Sequence, residues 1–130
     1  MRRLLIAAVL AAGACFKPTA PDAVAGTPFQ LKHGETASLP DNARLRFDTV
    51  RADSRCPIDA ICITAGDATI AVTLMRSSGN ESRDVHTLPA QSHFSYSKFT
   101  VTLTELQPYP RSDRQAKPED YTATFVVEIK

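Results

Sequence analysis

Tryptophan is absent from this chain of 130 residues, and glycine occurs only five times. So little glycine leaves no glycine-rich phosphate loop, and neither a G-x-S-x-G nucleophile elbow nor an H-E-x-x-H zinc helix is present. An excess of one charge is also missing, since the formal net charge is +1. Basic residues are scattered, as in RSDRQAK (111–117), so the balance points away from nucleic acid and from an anionic membrane surface. No apolar run approaches the length of about 20 residues that a permanent membrane-spanning helix needs. No window of helical length keeps a period of about 3.6 without proline or strand-type residues.

The one long apolar run stands at the start, in MRRLLIAAVLAAGAC. Arg2 and Arg3 followed by uncharged residues from Leu4 to Ala12 follow the plan of a secretory signal peptide over residues 1–14. Ala12-Gly13-Ala14-Cys15 resembles the bacterial lipobox, with Ala12 where the consensus prefers Leu. In lipoproteins the cut falls just before the cysteine, whose thiol carries the lipid. The cysteine count agrees: with Cys15 lipidated, Cys56 and Cys62 remain as an even pair in an oxidising compartment. A soluble exported protein with an odd thiol is the alternative. Phe16 rather than Asp after the cysteine resembles the default for outer-membrane export, so the expected location is the outer membrane, facing the periplasm. Loss of Arg2 and Arg3 takes the net charge from +1 to about −1.

Residues 15–28 read as the lipidated cysteine and a flexible tether, because FKPTAPDAVAGTP (16–28) mixes proline, alanine, threonine and glycine without an apolar period. Extended, it reaches about 40 Å. Residues 29–130 then form one domain, large enough for a modest core. Its apolar period is two. Tyr121, Ala123, Phe125, Val127 and Ile129 alternate with polar neighbours and Val126, as do Phe99, Val101 and Leu103, and then Ile70, Val72 and Leu74. Residues 68–76 run into SSGNES, which predicts a hairpin with 82–88 and positive φ at Gly79 and Asn80. FQLK and TASL flank the turn signal HGE, and in ARLRFDTVRA (43–52) the phase slips near Thr49 and Val50, the mark of a bulge. About seven short strands at regular spacing predict an all-β, antiparallel β-sandwich. The commonest arrangement of seven is immunoglobulin-like, although the lack of tryptophan and of widely spaced cysteines argues against a true antibody-type domain.

Cys56 and Cys62 fall on the connection between the strands ending near Ala52 and starting near Ala68. A structural disulfide closing a compact loop is the leading reading, worth about 2–2.5 kcal/mol in the chain-entropy account. Three other readings stand beside it. A redox pair would want C-x-x-C spacing at a helix N-terminus. Zinc would want four ligands, and His33, His86 and His93 show no ligand spacing to the cysteines. Calcium could draw on Asp53, Asp59 and Asp67, which match no EF-hand period. No metal or other cofactor is assigned.

The stretch DSRCPIDAICITAGDATIAV, with LRFDTVRA before it, FTVTLTELQPYP later and a terminal YTATFVVEI strand, resembles a family of small bacterial lipoproteins of uncharacterised activity. The family carries a D-S-R-C-P…C-x-x-A-G segment and a Leu-x-Pro-x-Pro loop before the last strand. The resemblance spans most of the chain from Phe29 onward; its most specific part is Asp53-Ser54-Arg55-Cys56-Pro57 with Cys62, Ala65 and Gly66. Family members usually have Trp where Thr64 stands here. The resemblance implies an extracytoplasmic β-domain with a disulfide, and no activity.

Local pairs such as Ser92-His93 or Asp84 with His86 on one strand face make no catalytic motif, so the chain reads as a non-enzyme. The class left is a lipid-anchored interaction or structural module of the envelope, held to the membrane through Cys15, with an envelope protein as possible partner. Small-ligand or metal-ion binding and inhibition of an envelope enzyme are the alternatives. Arg55 and Tyr109, residue types favoured as interface anchors, are the expected contacts. The structural reading has Arg55 paired only with Asp53, and Tyr109 capping the core.

Overall fold

Alternation of apolar and polar side chains decides which face of each strand is buried, and it does so over most of the chain. A computed structural model describes Gly13 and residues 21–130. The expected signal peptide, Cys15 and the start of the expected tether therefore lie outside the described residues, apart from Gly13. Among the described residues eight strands form two four-stranded antiparallel sheets. They are β1 (Phe29–Lys32), β2 (Thr36–Ser38), β3 (Arg44–Asp53), β4 (Ala68–Arg76), β5 (Gly79–His86), β6 (His93–Tyr96), β7 (Phe99–Gln107) and β8 (Thr122–Ile129). One sheet runs β1-β8-β7-β6 and the other β2-β3-β4-β5. Their inner faces meet in one core that includes Leu31, Leu45, Phe47, Ile70, Leu74, Phe99, Val101 and Phe125, all fully buried. Phe47 of one sheet meets Phe125 of the other edge-on, with ring centroids 6.4 Å apart. Thr73 is the one buried polar residue among those described, and Asp48 and Ser82 satisfy its hydroxyl at 2.6 and 3.1 Å.

The strand β6 raises the expected seven to eight. Tyr96 pairs with Phe99 across a tight turn at Ser97 and Lys98, and Ser97 takes a φ of 56° without glycine or asparagine to announce it. The order also departs from the immunoglobulin-like one. The chain crosses between sheets only at the corner after β1 and again after β5, so β2–β5 and β6–β8 form two meanders. FQLK and TASL, on either side of the HGE turn, join different sheets: β1 pairs with β8 and β2 with β3, and Gly34 (φ 80°) turns the corner.

The β4–β5 hairpin forms in a tighter register than expected. Arg76 pairs with Gly79, which alone of the two expected residues takes positive φ, so Ser77 and Ser78 make the turn. The slip at Thr49 and Val50 is a true register shift in the β3–β4 ladder. Residues 21–28 belong to the domain rather than to the tether. Ala23 is buried in the core and donates to Ser38 O at 2.8 Å, Ser38 donates to Pro21 O, and Gly26 donates to Val127 O.

The two ends of the sandwich differ. The tight turns 77–78 and 97–98, and the entry of the chain at Pro21, share one end. The long connections 54–67, 87–92 and 108–121 share the other.

Candidate functional site

At the end with the long connections, the β3–β4 ladder does not stop at the pair Asp53 and Ala68. Ser54 donates to Asp67 O at 2.7 Å and Cys56 to Ala65 O at 2.9 Å, extending the hairpin as a narrow ribbon. Gly66 sits inside this ribbon at φ +68°, where an added Cβ would lie 1.9 Å from Ser54 O. Beyond it the Cys56–Cys62 disulfide closes the tip, with Cα atoms 5.9 Å apart. The leading reading of the two cysteines is therefore the observed one.

Arg55 binds the ribbon to the other sheet. Its guanidinium donates to both carboxylate oxygens of Asp53 at 2.9 Å, to Leu106 O at 2.7 Å and to Pro108 O at 2.9 Å. The carbonyls of Leu106 and Pro108 flank the cis Gln107–Pro108 bond, so four N–H groups of the fork are spent on one brace. The Arg55 and Asp53 side chains are only 8% and 11% exposed. Arg55, expected as a partner contact, is therefore turned inward here: its charge is buried and paired, and four of its five N–H donors are taken up by the brace. Tyr109 packs its ring 5.0 Å from the guanidinium, donates to Glu105 at 3.2 Å and stays 45% exposed.

Tyr121 closes the same cluster by donating its hydroxyl to Asp53 at 2.9 Å. Burial pushes the Asp53 carboxyl up, but hydrogen bonds from Arg55 and Tyr121 and the Arg55 charge outweigh it and hold the carboxyl below its ordinary value. Burial and the contact with Asp53 push the Tyr121 phenol up to about 12. A group raised in the fold stabilises fully below its unfolded value near 10, and that contribution is lost as pH rises through about 12. Urea midpoints measured across this alkaline window are expected to fall more steeply for the natural chain than for Tyr121→Phe. Equal slopes would show that the phenol carries no such linkage.

The aspartates and histidines weighed as alternative metal ligands are dispersed. Asp53 is taken by Arg55 and Tyr121, while Asp59 accepts from the Ser112 amide and hydroxyl at 2.9 and 3.0 Å. Asp67 accepts from the Thr87 and Leu88 amides and holds His86 Nδ1 at 2.5 Å. Its carboxyl is raised by burial and lowered more by these partners, ending below its ordinary value. His33 bonds Thr49, and His93 is exposed on β6. Among the described residues no three His, Cys, Asp or Glu side chains converge on a metal position.

His86 shares its strand with Asp84, as expected, but Asp84 pairs with Arg51. Thr69 Oγ1 and Asp67 approach the same nitrogen of His86, Nδ1. A nucleophile–His–acid relay needs its two partners on opposite ring nitrogens, so this trio is not one.

What this construction leaves outside is apolar. Among the described residues, six large hydrophobics are exposed, and five of them lie at this end: Ile58, Ile61, Ile63, Leu88 and Tyr109. Ile61 and Ile63 flank Cys62 and are as exposed as in an open chain, at 104% and 105%. Ile58 is anchored through its amide to Pro110 O at 2.9 Å, so the tip rests on the 108–116 connection. Beside it a groove of about 410 Å³ is lined by Cys56, Ala65, Leu88, Leu106 and Tyr109, among others.

The sequence reading passed over the three isoleucines. The signal was present: three isoleucines within a turn-rich, proline-bearing segment cannot belong to a buried strand face. Closing the tip leaves the ribbon ladder untouched, so Cys56→Ser with Cys62→Ser is expected to cost only about 2 kcal/mol. A loss near zero in denaturant unfolding would show that the ribbon is already ordered without its staple.

Comparison with known proteins finds no matching family model, no matching curated protein and no matching solved structure.

Proposed function

We propose that this chain is a lipid-anchored cell-envelope protein whose β-sandwich is a non-catalytic interaction module, with the stapled tip as its contact surface. The observation that carries the reading is the concentration of exposed large apolar side chains on that tip. Isolated exposed hydrophobics are ordinary, whereas exposed apolar patches on loops held by a rigid scaffold mark interaction sites. The disulfide and the Arg55 brace fix the backbone beneath the isoleucines, which lowers the ordering cost of binding. The anchor rests on the sequence of residues 1–15, with Cys15 as the lipidated residue.

Mass spectrometry of the full-length protein from its own envelope tests the anchor. A diacylglyceryl increment on Cys15 and release of Cys15→Ser from the membrane fraction are the expected results. An unmodified thiol with unchanged fractionation would remove the anchor from this reading.

A second reading, binding of a small apolar ligand, is favoured by the groove beside the tip, whose volume of about 410 Å³ lies in the range of ligand sites. Native mass spectrometry of the same sample separates the two. A bound organic mass that leaves on substitution of Leu88 would favour the ligand.

A further inference from the structure

We infer that the stapled tip docks, through Ile61 and Ile63, into an apolar pocket of a protein partner lying on the far side of the domain from the membrane that anchors it. The inference deepens the proposed function and rests on lipidation at Cys15. Its first support is the length of chain before the domain. Cys15 is six residues from Pro21, where the chain is already hydrogen bonded to Ser38, and six residues reach at most about 20 Å. Pro21 stands at the end with the tight turns, opposite the tip.

Between the two ends run strands of nine residues, β4 and β7, about 30 Å long, and the ribbon extends further still. Pressing the tip end-on into the anchoring leaflet would require Pro21 to stand more than about 30 Å above it, farther than the tether reaches. An end-on approach of the isoleucines to their own leaflet is therefore beyond the reach of the tether.

Charge supplies the second support. Loops and helices that enter a lipid interface combine apolar residues with a basic surround. Around this tip Arg111 and Arg114 are met by Asp59, Asp113 and Glu105, with Arg111 paired to Asp113, Asp59 bound to Ser112 and Glu105 to Tyr109. A rim of mixed sign without a basic excess around an apolar centre is the anatomy of a protein–protein interface. Isoleucine side chains at 104% and 105% exposure project outward, so the partner must supply the pocket.

The test places a photoreactive residue at position 61, 63 or 78 of the full-length chain in its own cells. Position 78 lies in the tight turn at the opposite end. The expected result is a discrete protein adduct from 61 and 63 and none from 78. The adducted protein, identified by its peptides and purified, should bind the full chain and lose affinity about thirtyfold or more for Ile61→Asp with Ile63→Asp. Because both side chains are already in water, that variant should keep its urea midpoint.

Adducts with phospholipid alone, with copies of this chain alone, from 78 as readily as from the tip, or no adduct at all would each overturn the inference. A Cys15→Ser arm separates the two claims. If its fractionation matches that of the natural chain, the anchor fails, whereas loss of membrane association with no tip adduct in the natural chain leaves the anchor standing and removes the docking.

Discussion

Gly66→Ala is expected to unfold the stapled end and to destabilise the domain by about 3–5 kcal/mol. Two independent effects combine. The residue sits at φ +68°, a conformation that side-chain-bearing residues adopt only with strain. The new Cβ would also lie 1.9 Å from Ser54 O, 2.7 Å from Ser54 C and 2.9 Å from Arg55 Cα. All three are backbone atoms, so no rotamer change relieves the contact. Moving Ser54 away would break its bond to Asp67 O and shift Arg55 off the carbonyls of Leu106 and Pro108. Denaturant unfolding measures the effect directly. A loss below about 1 kcal/mol, the cost of an ordinary surface change, would mean that the ribbon yields where the geometry says it cannot.

Arg55→Ala should cost a similar amount, about 3–5 kcal/mol, for an electrostatic reason. It leaves the Asp53 carboxylate 11% exposed with only the Tyr121 hydroxyl and neighbouring backbone as partners, and strips a charged donor from two carbonyls. Arg55→Lys should recover little, because one ammonium cannot reproduce a fork that grips a carboxylate in bidentate fashion and two carbonyls besides. With Asp53→Asn in the same chain the combined loss should be smaller than the sum, since neutralising the carboxylate removes the charge that Arg55→Ala strands. Strict additivity in that double-mutant cycle would deny the coupling. The same pair fixes the acid side of the stability profile. The Asp53 carboxyl is held below its ordinary value, so its contribution is present above the unfolded carboxylate range and is lost as pH falls through the lowered folded value.

These two predictions give physical content to the most specific segment of the sequence. Asp53 receives Arg55 and Tyr121, and Ser54 bonds Asp67 through both its amide and its hydroxyl. Arg55 ties the ribbon to the β7–β8 connection, and Ala65 accepts from Cys56. Gly66 leaves space for the opposing backbone, and Asp67 anchors the β5–β6 crossing at Thr87 and Leu88. Asp53, Arg55 and Asp67 turn their charges into the fold, while the isoleucines carried between them are exposed.

Strand character was legible in the longer alternating segments, as in β8, where the alternation from Tyr121 to Ile129 matches the burial closely. The bulge at Thr49 and Val50 was legible because a register shift must break the period. The strand β6 escaped because its turn uses Ser97 and Lys98, neither of which marks positive φ. Sheet membership of β1 and β2 escaped because a corner and a hairpin turn have the same local composition. Arg55 looked exposed for a related reason. Its two carbonyl acceptors lie 51 and 53 residues away in sequence, and nothing local says that the connection after Leu106 folds back over the ribbon. His86 likewise meets Asp67 across 19 residues rather than its strand neighbour Asp84.

The central claim, that residues 53–67 form a fixed platform for an exposed apolar tip, is tested most directly by amide hydrogen exchange of the oxidised protein at Ser54 and Cys56. Their amides are bonded to Asp67 O and Ala65 O, so protection on the order of that in the β3–β4 ladder is expected. Exchange at the rate of an open loop, with β3 and β4 still protected, would contradict it and leave the isoleucines on a floppy tip with no platform beneath them.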